Sequence, residues 1–293
     1  MSRIAYVNGQ YLPHREAAVH IEDRGYQFAD GVYEVFTIHQ GQLIGEKAHL
    51  DRLTHSLEEL KISWPVSRQA LRVICREIAR RNRVISGIIY LQITRGVAKR
   101  NHSFPELIES SLVLTARKTA PLDKNSLLKG VEIITLQDIR WKRRDIKSIS
   151  LLPNVLGKQK ALEAGAHEAW LIDESGMVTE GTSSNAWIVT KDGDLVTHDA
   201  SNAILNGITR LSVLEASVKS GINIIERPFS IDEAILAKEA FITSSSSHIT
   251  AVTKVDGKII GNGHAGELTS SILDLYIEFI EVKGGPQKTN TWN

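Results

Sequence analysis

Short apolar runs that favour β-strands recur along this chain without a helix between each neighbouring pair. In the second half such runs lie at 168–173, 177–180, 185–190 and 194–197. The first two are joined by Glu174-Ser175-Gly176, and the last two by a turn at Asp192-Gly193, a typical hairpin sequence. Because strands and helices do not alternate strictly, the pattern predicts an α+β fold with mixed or antiparallel sheets.

Four strands and two helices are predicted in the first half. Leucines and isoleucines at helical spacing indicate helices over 46–62 and 68–83. Runs rich in β-branched and aromatic residues predict strands at 3–7, 31–38, 88–94 and 111–117. The one cysteine of the sequence, Cys75, lies within the second helical pattern, which favours a core residue over a nucleophile.

A polar segment with one proline, 118–126, is typical of a linker between two domains. We therefore expect a small N-terminal α/β domain over 1–117 and a larger C-terminal domain over 127–283. The elements expected in the second domain are strands at 131–136 and 239–244, the four short runs above, and helices at 154–164, 208–220, 231–237 and 267–282. The tail, 284–293, is expected to be loose.

Charge and composition argue against several classes of protein. The net charge of +1 gives no field that would draw the chain to nucleic acid or to an anionic membrane. No stretch approaches the roughly 20 apolar residues that span a bilayer, and the N-terminus lacks the pattern of a secretory signal. Together with the single cysteine, these features predict a cytoplasmic protein.

Several familiar motifs are missing or lack their context. The glycine run 261–266 matches G-x-G-x-x-G, but it follows a turn and has no βαβ unit around it, so dinucleotide binding is not expected. The sequence has no H-E-x-x-H, no paired C-x-x-C and no G-x-S-x-G. It therefore predicts neither a metal centre nor an α/β-hydrolase triad.

The most informative stretch is 139–160. Lys147 lies there in DIKSISLL, between Ile146 and Ile149. Such a run is more often a solvated basic segment before an amphipathic helix. A lysine held among apolar side chains also suits Schiff-base chemistry, which needs a neutral amine. Lys147 is therefore a candidate catalytic lysine.

Three further stretches carry groups that bind anions or cations when a fold brings them together. Glu180 ends the run 177–180 before a glycine and small hydroxyl residues, an arrangement that is often only a turn. Gly207 precedes a predicted helix whose first N–H groups, with the Thr209 hydroxyl, could hold a phosphate; the plain alternative is an ordinary helix start. The serine run 244–247 indicates by itself only a loop.

A fifth stretch, 94–105, is rich in basic and turn-forming residues. Arg100 and His102 fall within it, and Arg95 and Lys99 precede them. An arginine and a histidine held close together can grip a substrate carboxylate, the arginine through its bidentate fork. The alternative is an exposed basic loop.

Taken together, the five stretches resemble the fold-type IV pyridoxal-phosphate (PLP) aminotransferases in order and spacing, from about residue 4 to residue 280. The shared set is DIKS, VTEGTSSN, LNGITR and the serine run after EAFIT. Two more stretches, DRGYQFADGVYEV at 23–35 and RGVAKRNHSFP at 95–105, are similar to D-amino-acid aminotransferases. Branched-chain aminotransferases and aminodeoxychorismate lyases share the PLP motifs but typically lack the R-N-H-x-F-P loop.

The resemblance implies a PLP-binding role for the second domain and for individual residues. Lys147 would carry the cofactor as a Schiff base and then move a proton, and Glu180 would pair with the pyridine nitrogen. The other cofactor contacts that the resemblance implies are Arg52, Gly207, Ile208, Thr209 and Ser246 at the phosphate, Leu205 at the ring face and Arg140 near the phenolic oxygen.

The resemblance also implies a substrate site and an assembly. Tyr33, Arg100 and His102 match the family's carboxylate trap, and the family is a homodimer in which the trap arginine and histidine reach into the neighbouring subunit's site. Serines fill the loop 244–247 where threonines are common, and His248 stands where an acidic residue is often found, which leaves the fine substrate preference open.

The function implied is ping-pong transamination of a D-amino acid, such as D-alanine or D-glutamate, with 2-oxoglutarate or pyruvate. A branched-chain L-amino-acid aminotransferase and an aminodeoxychorismate lyase of the same fold are the alternatives. A PLP-binding protein without turnover is a third possibility, against which the full set of motifs argues.

Overall fold

The computed structural model describes residues 3–283 and divides into two compact units. The first unit extends to Pro121 and also takes in Ile146–Ser150, while the second comprises Leu122–Asp145 and the chain from Leu151 onward. The division after Pro121 falls inside the segment 118–126. The short segment around Lys147 clusters with the first unit, although the chain on both sides of it belongs to the second. The expectation of a loose tail concerns residues outside the described range.

The first unit is built on one antiparallel sheet with two long helices. Its elements are β1 (Ile4–Val7), β2 (Gln10–Pro13), α1 (Arg24–Phe28), β3 (Gly31–His39), β4 (Gln42–Leu43), α2 (Glu46–Glu59), α3 (Arg68–Arg81), β5 (Gly87–Thr94) and β6 (Ser111–Lys118). The six strands run in the order β2-β1-β6-β5-β3-β4. In the longest ladders β3 pairs with β5 from Gly31↔Thr94 to Ile38↔Gly87, and β5 pairs with β6 along its length.

The helical spacing of leucines in the first unit becomes its core. Leu50, Leu53 and Leu57 of α2 are buried and pack with inward-facing strand residues such as Phe36. Cys75 of α3 lies in the same core, as the sequence predicts, and burial raises the pKa of its thiol to about 12. An inert thiol of this kind is a packing residue.

The second unit carries a larger mixed sheet. Its elements are α4 (Lys124–Lys129), β7 (Val131–Gln137), α5 (Leu152–Glu163), β8 (Glu168–Ile172), β9 (Met177–Gly181), β10 (Asn185–Val189), β11 (Leu195–Thr197), α6 (Ile208–Lys219), β12 (Ile224–Glu226), β13 (Phe229–Ser230), α7 (Ile231–Leu236), β14 (Glu239–Ser244), β15 (His248–Val255), β16 (Lys258–Ile259) and α8 (Glu267–Lys283). Nine strands follow the order β12-β11-β10-β14-β15-β7-β8-β9-β13, and β16 pairs with β15.

Parallel and antiparallel pairs are mixed in this second sheet. β7 lies parallel to both β8 and β15, and β11 lies parallel to β12, while the hairpins predicted at 174–176 and 192–193 join antiparallel strands. The α+β class with mixed and antiparallel sheets is thus confirmed. The glycine run 261–266 lies between β16 and α8, outside any βαβ unit of the described chain.

Several short elements differ from the sequence expectation. α1 has five residues, too few for an apolar period to show, and it depends on Asp23, whose carboxylate accepts a hydrogen bond from Gly25 N at 2.8 Å. α4 begins inside the polar segment 118–126, with the Asp123 side chain as its cap. Strand β15 follows the serine run directly, because a positive φ at His248 turns the chain back along β14.

Candidate active site

In the first unit, Lys147 is fixed by hydrogen bonds of its main chain. Lys147 N donates to Ser56 Oγ at 3.1 Å, and Lys147 O accepts from Tyr33 N at 3.0 Å. Ile146 is buried in the core, and Ile149 N donates to Gly31 O at 3.0 Å. The segment therefore runs along the start of β3 like a short extra strand, bridged at Val32↔Ser148.

The side chain of Lys147 lies over an aromatic ring. Its Nζ is 4.2 Å from the centroid of the Tyr33 ring, and Tyr33 stacks in turn on Tyr90 with centroids 5.7 Å apart. Tyr33 is only partly buried, because alternate residues of β3 face opposite sides of the sheet. The structure thus brings the predicted catalytic lysine together with one member of the predicted carboxylate trap.

Next to this pair, on the other face of β3, lies a buried ion network. Arg52 donates to the carboxylate of Glu34 through Nε at 2.8 Å and Nη2 at 2.7 Å, and His49 Nδ1 lies 2.7 Å from the same carboxylate. Although burial opposes it, the charge and hydrogen bonds of Arg52 and His49 hold the pKa of Glu34 at about 2. Burial lowers the pKa of His49. Arg52, predicted to bind a phosphate, is therefore already anchored by a carboxylate.

Arg100 and His102 lie on the loop between β5 and β6, and both are exposed. The guanidinium carbon of Arg100 is 4.9 Å from the centroid of the Phe28 ring, and the His102 ring is 5.3 Å from it. The two predicted trap residues therefore share Phe28 as a platform, whereas the ring contacts of Tyr33 are with Tyr90 and Lys147.

In the second unit, Glu180 lies near the end of β9 and is 5% exposed. Its carboxylate accepts from Leu205 N and Asn185 Nδ2, both at 3.1 Å, and pairs with Arg140. Burial raises the pKa of Glu180, and Arg140 offsets part of that rise. Leu205 is tied to the same place, because its carbonyl accepts from Asn185 Nδ2 at 2.8 Å.

Arg140 divides its guanidinium between two carboxylates. It donates to Asp138 through Nε at 3.0 Å and Nη2 at 2.8 Å, and it reaches Glu180 through Nη1. Although burial opposes it, Arg140 lowers the pKa of Asp138, which also accepts from Thr179 Oγ1 at 2.8 Å. Arg140 lies beside Glu180 as a partner of its carboxylate, and its contact with a phenolic oxygen stays a prediction.

The N-terminus of α6 is buried, and within the described chain it has no side-chain cap. Gly207 is its N-cap residue, and Ile208 and Thr209 are 4% and 5% exposed. A Cβ at Gly207 would collide with the side chain of Asn185, which explains the glycine. A helix start without a side-chain cap leaves N–H groups that can donate to an anionic ligand.

The serine turn after β14 supplies hydroxyl groups in the same unit. Ser244 Oγ accepts from Ser247 N at 2.9 Å and lies 3.4 Å from Ser246 Oγ. Next along the chain, His248 Nδ1 lies 3.1 Å from the hydroxyl of Tyr276, and Tyr276 also interacts with the side chain of Thr209. Tyr276 thus connects the start of α6 with the residue after the serine turn.

Sequence reasoning missed several residues that hold the site. They are Glu34, His49, Asp138, Asn185 and Tyr276. Two of them had a readable signal, since His49 stands three residues before Arg52 on one helix face and Asp138 two residues before Arg140. The structure describes no cluster of three possible metal ligands among residues 3–283, and no helix in that range is long and apolar enough to cross a membrane.

Comparison with known proteins assigns the chain to a family. The model of the amino-transferase class IV family matches residues 31–255, which contain every predicted site residue. The chain belongs to the class IV aminotransferases. It is therefore a transaminase, and the PLP cofactor expected from its motifs is the cofactor of this family.

Relatives with curated names are similar over nearly the whole chain. The D-alanine aminotransferase of Bacillus licheniformis is 44% identical over 270 residues, covering 90% of this chain and 93% of its own. The D-alanine aminotransferase of Listeria innocua is 39% identical over 276 residues, covering 94% and 95%, and that of Staphylococcus haemolyticus is 38% identical over 277 residues, covering 94% and 97%.

Solved structures of branched-chain aminotransferases share the fold. The Escherichia coli branched-chain amino acid aminotransferase has a TM-score of 0.88 at 22% identity, covering all of this chain and 98% of its own. The branched-chain aminotransferase of Thermoproteus uzoniensis with norvaline has a TM-score of 0.84 at 23% identity, covering 96% and 95%. Another branched-chain amino acid aminotransferase, solved with pyridoxamine 5'-phosphate, reaches 0.88 at 24% identity, covering 96% and 94%. At this identity the likeness shows the fold alone.

The chemistry of three site features, each taken by itself, suits the groups of PLP. The start of α6 has no side-chain cap within the described chain and offers N–H donors for a phosphate. Glu180 is a buried carboxylate whose pKa is raised by burial more than Arg140 lowers it. Lys147 offers a primary amine beside an aromatic ring. A phosphate, a protonated ring nitrogen and an aldehyde carbon are the complements of these three groups.

Proposed function

We propose that this chain transaminates D-amino acids, D-alanine and D-glutamate among them, with 2-oxoglutarate or pyruvate as amino acceptor in a ping-pong reaction. The observation that carries the proposal is the 38–44% identity to proteins named D-alanine aminotransferase over 90–94% of the chain. The R-N-H-x-F-P loop, which contains Arg100 and His102, supports the same assignment.

Lys147, Glu180 and the start of α6 would hold the cofactor. Lys147 Nζ would bind its aldehyde carbon, and Glu180 would face the ring nitrogen, with Leu205 against the ring. The phosphate would be bound by Arg52, by the helix start at Gly207, Ile208 and Thr209, and by Ser246. When bound, PLP withdraws electrons from the substrate Cα and so makes its proton acidic.

With the cofactor bound, residues of the chain would transfer one proton and stabilise two charges, that of the ring nitrogen and that of Glu180. Lys147 Nζ, once free, would accept the proton of the substrate Cα as general base. Glu180 would keep the ring nitrogen protonated, because a cation beside it relieves the cost of burying a carboxylate. Arg140, which pairs with Glu180, would act through that carboxylate and hold it in place.

Substrate recognition would come from the carboxylate trap. Tyr33 offers a hydroxyl beside Lys147, and Arg100 and His102 offer a cationic fork and an imidazole on the Phe28 platform. Binding of the carboxylate fixes which of the other two Cα substituents, the hydrogen or the side chain, faces Lys147. The trap would therefore select the D-isomer.

Arg100 and His102 would contribute to the active site of a second copy of the chain. Exposed apolar residues occur on the same loop and on the segment around α1, since Leu107 is 94% exposed and Ile21 and Tyr26 are each 77% exposed. Apolar side chains that are so accessible are a typical feature of a subunit interface. We therefore expect a homodimer, located in the cytoplasm.

A branched-chain L-amino-acid aminotransferase is the second candidate. Solved enzymes of that kind share the fold with a TM-score of 0.88, but at 22–24% identity they carry no substrate assignment. Aminodeoxychorismate lyase activity has less support, since the relatives described above are transaminases.

The purified protein distinguishes these activities directly. D-alanine, L-alanine and L-leucine are each supplied with 2-oxoglutarate, and the keto acid product is measured. We expect D-alanine to be much faster than both L-amino acids. L-leucine turning over faster than every D-amino acid would establish the branched-chain alternative instead.

Cofactor attachment is tested without turnover. Borohydride reduction of the yellow protein, followed by peptide mapping, should place the cofactor on Lys147. Lys147→Ala should take up no borohydride-stable label, while Lys158→Ala, in a neighbouring helix, should label normally. Label on another lysine would refute the assignment.

A further inference from the structure

The loop that carries the predicted trap is held by a buried arginine in the segment before β3. We define the trap loop as residues 97–105. Arg24, the first residue of α1, is 3% exposed. It donates through Nη1 to Asn101 O at 2.5 Å and through Nη2 to His102 O at 3.5 Å. Both bonds go to main-chain carbonyls of the trap loop, one of them that of the trap histidine itself.

Asp30 fixes the guanidinium of Arg24. It accepts from Arg24 Nε at 2.8 Å, and from Arg95 Nε and Nη2 at 2.8 and 2.9 Å. Although burial opposes it, Arg95 and Arg24 lower the pKa of Asp30, so the carboxylate is charged at neutral pH. A charged carboxylate that pairs with two arginines in a partly buried site leaves Arg24 little freedom to rotate.

The two arginines that share this carboxylate have different second partners. Arg95 donates to Leu60 O at 2.7 Å and to Lys61 O at 2.9 Å, which ties it to the end of α2. Its contact with the trap loop is with a side chain, since its guanidinium carbon lies 3.6 Å from the centroid of the Phe104 ring. Arg24 alone of the two donates to main-chain carbonyls of the loop. Arg95 therefore packs the cluster against α2, whereas Arg24 acts on the main chain that carries the trap residues.

Phe28 joins the same cluster to the trap side chains. The guanidinium carbons of Arg24 and Arg100 each lie 4.9 Å from the centroid of its ring, and the His102 ring is 5.3 Å away. Phe28 is the last residue of α1, which begins at Arg24. The loop also bonds through Ala98 N to Glu22 O at 3.3 Å, just before this helix. One five-residue helix therefore supplies both a side-chain anchor for the main chain of the loop and the surface on which its two functional side chains rest.

We propose that Arg24, held by Asp30, is a positioning residue that fixes the trap loop so that Arg100 and His102 project together for one substrate carboxylate. The proposal rests on the carboxylate trap of the proposed function. It also gives a physical reason why the segment 23–35 and the loop 95–105 resemble the same subset of aminotransferases: one holds the other.

The first experiment measures the loop itself. Hydrogen–deuterium exchange of the holoenzyme is compared with that of Arg24→Gln. We expect peptides covering 97–105 to exchange several-fold faster in the variant, because the loop opens more readily without its anchor. Peptides from α3 should be unchanged. Arg72→Gln, which removes an arginine from an exposed pair with Glu46, is the control and should leave the loop as it is. Unchanged exchange at 97–105 in Arg24→Gln overturns the proposal.

The second experiment is a double-mutant cycle on D-alanine kinetics. Arg24→Gln should raise the KM for D-alanine about ten-fold, the scale of one charge-assisted hydrogen bond, and change kcat much less. In an Arg100→Ala background the same substitution should have little further effect, because it acts through Arg100. Effects that multiply independently would show that Arg24 acts on stability and not on the trap.

The two proposals fail in different ways. An Arg100→Ala variant with the wild-type KM for D-alanine overturns the trap and the inference with it. An impaired Arg100→Ala beside an unimpaired Arg24→Gln overturns the inference alone. Where Arg24→Gln does not fold, Arg24→Lys keeps a cation for Asp30 but loses the fork that reaches two carbonyls, and it should show the same KM effect.

Discussion

The two units each bury one glutamate beside an arginine, and the two carboxylates respond in opposite ways. Glu34 is 0% exposed and Glu180 is 5% exposed. The pKa of Glu34 falls to about 2, whereas the pKa of Glu180 rises. Burial acts on both in the same direction, so the difference comes from how much positive charge each one has to itself.

The carboxylate of Glu34 has two side-chain partners, Arg52 and His49. Arg52 binds it in a bidentate manner, and His49 adds a third contact. Glu180 shares its arginine, because Arg140 is bidentate to Asp138 and reaches Glu180 with its remaining nitrogen. Glu34 is therefore a completed ion pair, and Glu180 is a carboxylate that would gain from one more cation. A protonated cofactor ring beside Glu180 would supply it.

The first prediction is that neutralising Glu34 damages folding. Glu34→Gln leaves Arg52 buried without a full counter-charge, which should cost about 3–5 kcal/mol of the free energy of unfolding. Urea unfolding of the apoprotein measures this. Glu77→Gln is the control, because Glu77 pairs with two exposed arginines on α3 and should contribute little. A loss in Glu34→Gln no larger than in Glu77→Gln would contradict the completed ion pair.

The second prediction concerns pH. The pKa of Glu34 is depressed from its ordinary value of 4.5 to about 2, so its stabilisation is full above pH 4.5 and is lost as the pH falls toward 2. Linkage over that window corresponds to about 3 kcal/mol. Unfolding free energies of wild type and Glu34→Gln should therefore converge between pH 4.5 and pH 2. Parallel curves through this window would mean that Glu34 is not the group responsible.

The third prediction is that neutralising Glu180 damages turnover and not folding. In Glu180→Gln the ring nitrogen loses its carboxylate, and kcat should fall about 100-fold, the scale of removing one electrostatic catalytic group. The apoprotein should unfold at a temperature equal to or slightly above that of wild type, because a buried charge that is only partly compensated is gone while Arg140 keeps Asp138. Turnover close to wild type would assign Glu180 a structural role only.

The contrast between the two glutamates also marks what the sequence can predict. Leucine spacing predicts α2 and α3, and the short runs predict most strands of both sheets, because periodicity reports which face is buried. The stretches around Lys147 and Glu180 are recognisable because their local order is specific. Glu34, by contrast, stands in a strand whose alternation alone cannot tell a buried ion pair from a core position.

The local sequence pattern does not predict which residues pair with each other. Arg140 has Asp138 two residues away and Glu180 forty residues away, and only the parallel pairing of β7 and β8, with β9 beside them, brings all three together. Likewise Arg24 meets the carbonyls of Asn101 and His102 across 77 and 78 positions of sequence. Such contacts depend on strand order, which the run of short strands leaves open.

The last and smallest prediction tests the sharing of Arg140 directly. Asp138→Asn removes the carboxylate that competes for this guanidinium, so Arg140 should turn its charge toward Glu180 and lower the pKa of Glu180. With its charge better compensated, Glu180 would hold the proton of the ring nitrogen less strongly. The kcat should therefore fall by about ten-fold or less, which is a smaller loss than that caused by removing the carboxylate of Glu180. Asp274→Asn, which removes a carboxylate from an exposed pair with Lys124, is the control and should leave kcat unchanged.

A loss in Asp138→Asn as large as in Glu180→Gln would mean that Asp138 acts on the cofactor itself. No loss at all would mean that the charge of Arg140 does not limit Glu180.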